Sequence, residues 1–306
     1  MTTHKPFWIG LVTLSFVFSV TLSWFVGQAL QPPVEQRMFK DAEKRVVRYS
    51  FTLRNETNLT VDDVRFTAFA PVKNTPFQTV QSIGATSPFQ IQSDALGNQR
   101  LIFMIEPIAP FGERVVTVTT IVFMRKQPIQ TTPLFSDKTP RQWRTPTLAK
   151  GHAAVLSALN AIGPERGAAT LKPWGVRATG WVHGALKDVG YVSRDLGPEY
   201  ALTERAGDCT EYMGAFVELA RQSSVIAVSV AGFRTHGISQ LVEASDYHNW
   251  AMARFGNKWA VSDPYMNEFA SHQDEYVAFR LLGGGDNGSD AQRFFSHDDR
   301  ISVVMR

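Results

Sequence analysis

The stretch ERAGDCTEYMGAFVELA, residues 204–220, holds the only cysteine in a chain of 306 residues. A short polar turn leads into Cys209, and from there apolar residues recur at the spacing i, i+3, i+4, i+7, i+8 and i+11. Residues at this spacing share one face of an α-helix. The stretch therefore predicts a core-facing helix that begins at or just before Cys209, with Asp208 capping the free N–H groups of its first turn.

The position of Cys209 decides between two interpretations of a lone cysteine. Within a helical pattern, a free cysteine is more often a small buried hydrophobe than a reactive group. At a helix N-terminus, however, partial positive charge and unpaired N–H groups stabilise a thiolate and raise its reactivity. The same N–H groups can hold the oxyanion of an acyl-transfer intermediate, and Gly207 lets a substrate approach the backbone closely. Position alone leaves both interpretations open.

Two later strands supply the partners that a thiol nucleophile needs. DYHNWAMARF alternates in character as a β-strand does and carries His248, and KWAVSDP is a second strand that ends at Asp263. Gly256 and Asn257 between them have the chemistry of a tight hairpin turn. On adjacent strands a histidine and an aspartate can lie side by side, so that the carboxylate fixes the imidazole tautomer. The pattern therefore predicts a Cys-His pair held by a carboxylate, an arrangement for covalent acyl transfer.

Taken together, GDC opening a helix, YHNW on a strand and SDP at a strand end resemble the transglutaminase-like superfamily over about residues 175–270. The resemblance places the family's catalytic residues on Cys209, His248 and Asp263. It implies a papain-like α+β core and hydrolysis or transfer at an amide bond of a protein or peptide. Peptidase, deamidase and cross-linking members remain open. The sequence departs from the family at Asn249, where a small alanine is common.

Further side chains near these motifs are candidates for the oxyanion site or the groove wall. Trp181 and Tyr191 precede the cysteine and could each donate a side-chain hydrogen bond to the oxyanion. Asp208 and Trp250 flank the predicted nucleophile and base. The seven histidines show no HExxH-type spacing, so we expect no metal centre and no cofactor.

The N-terminus carries a second signal. Phe7 to Val26 contains no charged residue and is long enough, as a helix, to cross the hydrocarbon core of a membrane. A signal peptide cleaved near Ala29 is the alternative, although its apolar region usually has only about 7–15 residues. More cations follow the run than precede it, but a long domain translocates largely regardless of such flanking charge. We expect an uncleaved anchor with the soluble domains outside the cytoplasm, in the periplasm of a bacterial-type member of the family.

The residue pattern divides the rest of the chain into a region of short alternating strands, a Pro-rich stretch and a region of mixed helices and strands. We expect an α+β protein in which an antiparallel β-sandwich precedes the transglutaminase-like domain. The predicted boundaries are a transmembrane signal-anchor at 1–30, a juxtamembrane spacer at 31–45, the β-sandwich at 46–126, a Pro-rich linker or surface wrap at 127–150 and the transglutaminase-like domain at 151–306.

Composition narrows the function classes. The net charge of +3 is spread along the chain, which does not indicate a nucleic-acid partner, and a single cysteine excludes an intrachain disulfide. The expected partners are a protein or peptide substrate and the membrane; the oligomeric state stays open. Two alternatives to catalysis also stay open. The domain could be a quiet module whose groove holds a peptide or envelope partner, or the β-sandwich could carry the function in adhesion or assembly.

Overall fold

Alternating apolar and polar side chains build the strands in the first half of the chain. In the strand Glu43–Asn55, every second side chain from Val47 to Leu53 is buried. The computed structural model describes residues 39, 41–129, 133–136, 138–163, 171–283, 294–296 and 299–306. The predicted anchor at 1–30 and nearly all of the spacer before residue 43 lie outside them. Within the described part, no helix is long and apolar enough to cross a membrane.

The described strands in chain order are β1 (Glu43–Asn55), β2 (Val64–Ala70), β3 (Gln78–Ala85), β4 (Phe89–Ser93), β5 (Gln99–Ile105), β6 (Glu113–Met124), β7 (Lys187–Asp188), β8 (Ala206–Gly207), β9 (Ile226–Arg234), β10 (Ser239–Leu241), β11 (Tyr247–Phe255), β12 (Lys258–Asp263), β13 (Glu268–Phe269), β14 (Tyr276–Leu282), β15 (Phe294–Ser296) and β16 (Ile301–Met305). The described α-helices are α1 (Ala153–Ile162), α2 (Leu171–Ala185), α3 (Gly197–Glu204) and α4 (Cys209–Gln222). The fold is therefore α+β, with extensive sheets and few helices.

Two sheets face each other in the first half. One has the order β10-β1-β6-β3, with β16 also paired to β1, and the other has the order β15-β2-β5-β4. Their facing side chains form one apolar core, in which the rings of Phe51 and Phe66 meet edge to face at 5.0 Å. All pairs in these sheets are antiparallel except β1 with β10, which run parallel. The sandwich is thus almost wholly antiparallel.

Both sandwich sheets take strands from beyond residue 126. β10, β15 and β16 come from the later part of the chain, and the sandwich core includes Phe233, Val277 and Phe279. Residues Glu43–Arg306 form one compact unit, and residues 1–42 are assigned to another, of which only 39, 41 and 42 are described. The domain boundaries drawn from sequence texture remain a prediction, since strands from both sides of them share sheets.

The third sheet packs against the helices. Its five antiparallel strands have the order β13-β12-β11-β9-β14. The four described helices form an apolar cluster with one face of this sheet, where Ala251 and Ala253 of β11 leave room for α4. Trp250 and Met252 point to the opposite cluster, as the strand alternation predicts. In that opposite cluster Phe135 and Trp143 are fully buried, so the Pro-rich segment wraps along the domain.

Candidate active site

The helix that begins at Cys209 is capped by the residue before it. The Asp208 carboxylate accepts a hydrogen bond from the Thr210 backbone N–H at 2.8 Å, and Glu211 accepts one from the Asp208 backbone N–H at 3.0 Å. This is a capping box, which satisfies donors that the first helical turn cannot use itself. The predicted helix start and the predicted role of Asp208 as cap are both confirmed, and Cys209 is the first residue of the helix.

Gly207 makes room for that cap. Its φ is +155°, and a Cβ atom there would lie 2.2 Å from the Cβ of Glu211. Glu211 is fully buried and also accepts a hydrogen bond from the Leu196 backbone N–H at 2.9 Å. Burial raises the pKa of Glu211 to about 7, although the hydrogen bonds from Leu196 and Asp208 work against that rise. Glycine, which has no Cβ atom, therefore avoids a clash with Glu211 at the position before Asp208.

His248 and Asp263 meet across the predicted hairpin. β11 and β12 pair with Phe255 opposite Lys258, so the turn lies at Gly256 and Asn257 as expected. The register, with Ala251 opposite Ser262, makes His248 and Asp263 diagonal neighbours on one face. His248 Nε2 lies 2.6 Å from Asp263 Oδ2.

A shell of donors holds the Asp263 carboxylate, which is fully buried. The Tyr276 hydroxyl donates to its Oδ2 at 2.9 Å, and the Met266 backbone N–H donates to its Oδ1 at 3.1 Å. Burial, together with the charge of Asp263, raises the pKa of Tyr276 well above its usual range, so its hydroxyl keeps its proton. The same hydroxyl proton is shared with Glu268, whose Oε2 lies 3.2 Å away, and Glu268 pairs with Arg234 at 3.0 Å.

Electrostatics favour a protonated His248 even though the ring is largely buried. Burial on its own lowers the pKa of His248, because it penalises the charged imidazolium. The hydrogen bonds to Asp263 and Cys209, and the charges on those two groups, outweigh that penalty and raise the pKa to about 9. The structure thus brings Cys209 and His248 to one cleft and places Asp263 within hydrogen-bond distance of His248.

Asn249 contacts the thiol from the helix-facing side of β11. Its Oδ1 lies 3.6 Å from Cys209 Sγ and 3.4 Å from Thr210 Oγ1, and the residue is buried. A carbonyl oxygen can only accept a hydrogen bond, so in this orientation the S–H group of Cys209 donates a hydrogen bond to it. The departure from the family pattern noted at Asn249 therefore lies directly beside Cys209.

A cleft of about 450 Å³ opens over Cys209 and His248. Asp208 and Tyr191 line it, and Tyr191 is 83% exposed at its rim. Trp250 is buried beneath, with its ring 6.3 Å from that of His248 and nearly parallel to it. Trp181 is not among the lining residues and instead packs under the guanidinium of Arg205 at 4.9 Å. Among the described residues, no group of three or more metal-ligating side chains could hold a metal ion.

Sequence reasoning missed Tyr276 and the cleft-lining residues Tyr265 and Met266. Tyr265 and Met266 follow the SDP motif directly, so their proximity to Asp263 in the chain was an available signal. Tyr276 offered none, because it is 13 residues from Asp263 and belongs to a strand that the sequence pattern did not reveal.

Comparison with known proteins gives the same assignment. A family model described as the transglutaminase-like superfamily matches residues 174–264. No curated protein sequence matches the chain. Among solved structures, a candidate cysteine protease from Cytophaga hutchinsonii is 16% identical, with a TM-score of 0.51 over 87% of this chain and 90% of that one. The periplasmic domain of TgpA from Pseudomonas aeruginosa is 13% identical, with a TM-score of 0.34 over 72% of this chain and 88% of that one.

The Cytophaga structure shares the fold over most of both chains. The matched segment runs from within α2 to just past the end of β12, and it contains Cys209, His248 and Asp263. This segment is the part of the chain that matches the model of the transglutaminase-like superfamily.

Proposed function

We propose that the protein is a cysteine-dependent enzyme that transfers an acyl group from an amide of a protein or peptide. Cys209 is the nucleophile, His248 the general base and acid, and Asp263 the residue that orients His248. The observation that carries the proposal is the 2.6 Å hydrogen bond between the imidazole of His248 and the buried Asp263 carboxylate, at a cleft that Cys209 and His248 both line. A nucleophile, a base and a group that orients the base, brought together at one cleft, are typical of covalent catalysis.

The first half of the reaction forms an acyl-enzyme. Because Nε2 of His248 is engaged by Asp263, Nδ1 is the ring nitrogen left to take the Cys209 proton. The thiolate adds to the amide carbonyl carbon, a carbon–sulfur bond forms, and the carbonyl electron pair moves onto oxygen. When that pair returns, the carbon–nitrogen bond breaks, and the leaving amine takes the proton from His248.

The second half releases the acyl group. An acceptor, either water or an amine, gives its proton to His248 as it attacks the thioester carbonyl. The carbon–sulfur bond then breaks, and the Cys209 sulfur takes the proton back. Water as acceptor gives hydrolysis or deamidation, and an amine gives a cross-link, so one set of residues serves each of these reactions.

The backbone N–H of Cys209 is our candidate donor to the oxyanion. Asp208 accepts from the N–H groups of Thr210 and Glu211, so those two donors are occupied. In the part of the chain that the structure describes, no hydrogen bond uses the N–H of Cys209. A free donor at the first residue of a helix is suited to a developing negative charge. Tyr191 at the cleft rim remains a candidate for a second donor.

We further propose that residues Phe7–Val26 anchor the chain in a membrane, with the domain outside the cytoplasm. The proposal is supported by twenty consecutive uncharged residues. A membrane-impermeant maleimide tests it on the Cys209→Ser chain with Lys73→Cys as the single thiol, because Lys73 is exposed. Labelling in cells with an intact inner membrane supports the proposal, and labelling only after lysis contradicts it.

Trapping of the acyl-enzyme tests the enzymatic function. The purified chain is incubated with a native extract, quenched in acid, digested and analysed by mass spectrometry for adducts on the peptide that contains Cys209. We expect a thioester adduct in the wild type and none in His248→Ala. His236→Ala is the control, because His236 lines the same cleft without contacting Asp263. An adduct that forms equally in His248→Ala would contradict the mechanism.

A second candidate function is a binding module that does not catalyse a reaction, and the orientation of Asn249 favours it. A carbonyl oxygen 3.6 Å from Sγ accepts a hydrogen bond from the S–H group and so stabilises the neutral thiol rather than the thiolate. In that case the cleft would hold a peptide without reacting with it. The pH dependence of thiol alkylation separates the two candidates, because only an activated cysteine reacts as a thiolate well below about pH 8.5.

A further inference from the structure

A second cleft lies at the far end of α4 from Cys209. Its volume is about 810 Å³, larger than that of the cleft over Cys209. α4 has 14 residues, so its two ends are about 20 Å apart at 1.5 Å per residue. The second cleft therefore neither contains nor borders the proposed catalytic residues.

The lining of this second cleft is strongly cationic. It includes Arg144, Lys150, Arg221 and Arg254, and among the described residues it includes no aspartate or glutamate. These four charges exceed the net charge of the whole chain, which is +3. Across the described residues, none of the four forms an ion pair with a carboxylate. The cleft thus concentrates positive charge that the described carboxylates do not pair.

Two of the guanidinium groups are held in place by the protein backbone. Arg221 is only 6% exposed, and its Nε and Nη2 donate to the Ala227 carbonyl at 3.2 and 3.1 Å. Arg254 is half-buried, and its Nη1 donates to the Ser136 carbonyl at 2.6 Å. Fixing these long side chains before a ligand arrives removes part of the entropy cost of binding it.

The acidic group whose charge acts on Arg221 already accepts hydrogen bonds from other groups. Glu218 accepts hydrogen bonds from the backbone N–H groups of Thr147 and Leu148 and from the side chain of Gln222. Burial lowers the pKa of Arg221 to about 10, and the charge of Glu218 offsets only part of that effect. A buried cation without a directly paired anion is stabilised by a ligand that supplies one.

We propose that this second cleft binds an anion that carries at least two phosphate groups. The planar guanidinium fork matches phosphate oxygens in bidentate geometry, and the cleft has three such groups and one lysine. Two phosphate groups of about −1.5 to −2 charge each balance four cations. The volume lies within the range of about 300–1,000 Å³ that small-molecule sites occupy.

Isothermal titration of the full chain in detergent micelles with inorganic pyrophosphate tests the proposal, with orthophosphate as a second probe. The cleft variant is Arg144→Gln with Lys150→Gln, both at exposed positions, so the fold is retained. The matched control is Arg100→Gln with Lys73→Gln, which removes the same two charges at exposed positions outside the cleft. Circular dichroism checks that both variants are folded.

We expect saturable binding of one pyrophosphate per chain, tighter than that of orthophosphate. The cleft variant should weaken the binding about tenfold or more, because two charge-assisted contacts are lost, and the control by less than about twofold. Equal affinities in the two variants, or no saturable binding of pyrophosphate to the wild type, would overturn the proposal. Cys209→Ser should bind as the wild type does, which separates this site from the proposed catalysis.

A second arm identifies the source of the phosphate. The titration is repeated in micelles that contain cardiolipin, a lipid with two phosphate groups. If lipid headgroups occupy the cleft, the added lipid lowers pyrophosphate affinity in the wild type more than in the cleft variant. If the ligand is a soluble phosphorylated molecule, the wild type and the cleft variant lose affinity equally through the charge of the micelle surface. Both results support a phosphate site and differ only in what fills it.

Discussion

Asp263 Oδ2 lies 2.6 Å from His248 Nε2, and the same oxygen receives the hydroxyl of Tyr276 at 2.9 Å. Asp263 is fully buried, while the side chain of His248 is 13% exposed. The carboxylate is therefore shielded from water, and the imidazole still reaches the cleft. In the proposed mechanism, Asp263 is therefore a positioning residue that acts on a substrate only through His248.

Asp263→Asn should keep the fold and lose activity. The amide has nearly the same shape, but it removes the charge that helps hold the pKa of His248 at about 9. We expect that pKa to fall and activity to drop by about a thousandfold or more, as for other triads that lose this carboxylate. NMR titration of His248 and the pH profile of kcat/KM measure the two effects. An unchanged histidine titration would show that Asp263 does not act in this way.

Tyr276→Phe should weaken catalysis modestly. It deletes one hydrogen bond to Asp263, worth about 1 kcal/mol, which corresponds to about a fivefold lower kcat/KM. Because the effect runs through the carboxylate, the titration of His248 should move with it. Tyr49→Phe is the matched control, since Tyr49 also donates one buried hydrogen bond, to Phe69 in the sandwich. Equal changes of the His248 titration in both variants would argue against the role of Tyr276.

Glu211→Gln should change how stability depends on pH. The pKa of Glu211 rises from 4.5 to about 7 in the folded protein, so folding favours the protonated form. Its contribution to stability is therefore fully present below pH 4.5 and is lost as the pH rises towards 7. The amide does not titrate, so the variant should gain stability relative to the wild type across this window. Thermal unfolding at several pH values measures the difference, and a constant difference would contradict the prediction.

Asn249→Asp should suppress the thiolate. A carboxylate oxygen in place of Oδ1, 3.6 Å from Sγ, would repel a negative sulfur and so disfavour the thiolate. We expect the midpoint of Cys209 alkylation to move to higher pH and turnover at neutral pH to fall, because less of the reactive thiolate is present. Asn249→Ala, which restores the residue common in the family, is the control and should not raise the midpoint. A midpoint unchanged in Asn249→Asp would mean that the side chain turns away from the thiol.

The parts of the site that local pattern controls were predictable from the sequence. The α4 helix has clear 3.6-residue periodicity and a capping residue, and the β11–β12 hairpin has alternation and turn chemistry. β14 was missed, because six of its seven residues are buried, so its pattern shows no alternation. α3 was missed as well, since its eight residues bury only Ala201 and Leu202. Tyr276 lies on β14, and its role went unrecognised with the strand.

The sequence also did not reveal which distant strands pair with each other. The last strand, β16, pairs with β1 from the opposite end of the described chain, with Ile301 opposite Asn55. Strand alternation states which face of a strand is buried, but it does not say which distant strand lies beside it. The texture of residues 46–126 therefore predicted a sandwich without the strands that extend both of its sheets. The second cleft could not be predicted for the same reason, since its lining comes from separate stretches of the chain.

The most direct test of the central claim is the pH dependence of Cys209 alkylation by iodoacetamide, measured in the wild type and in His248→Ala. Cys209 is the only cysteine, so total incorporation reports on it alone. We predict a wild-type midpoint well below about 8.5, the value for a free cysteine, because a protonated His248 and the helix N-terminus both favour the thiolate. In His248→Ala the midpoint should rise towards that reference. A wild-type midpoint at or above it, unchanged in His248→Ala, would contradict the claim that Cys209 is an activated nucleophile.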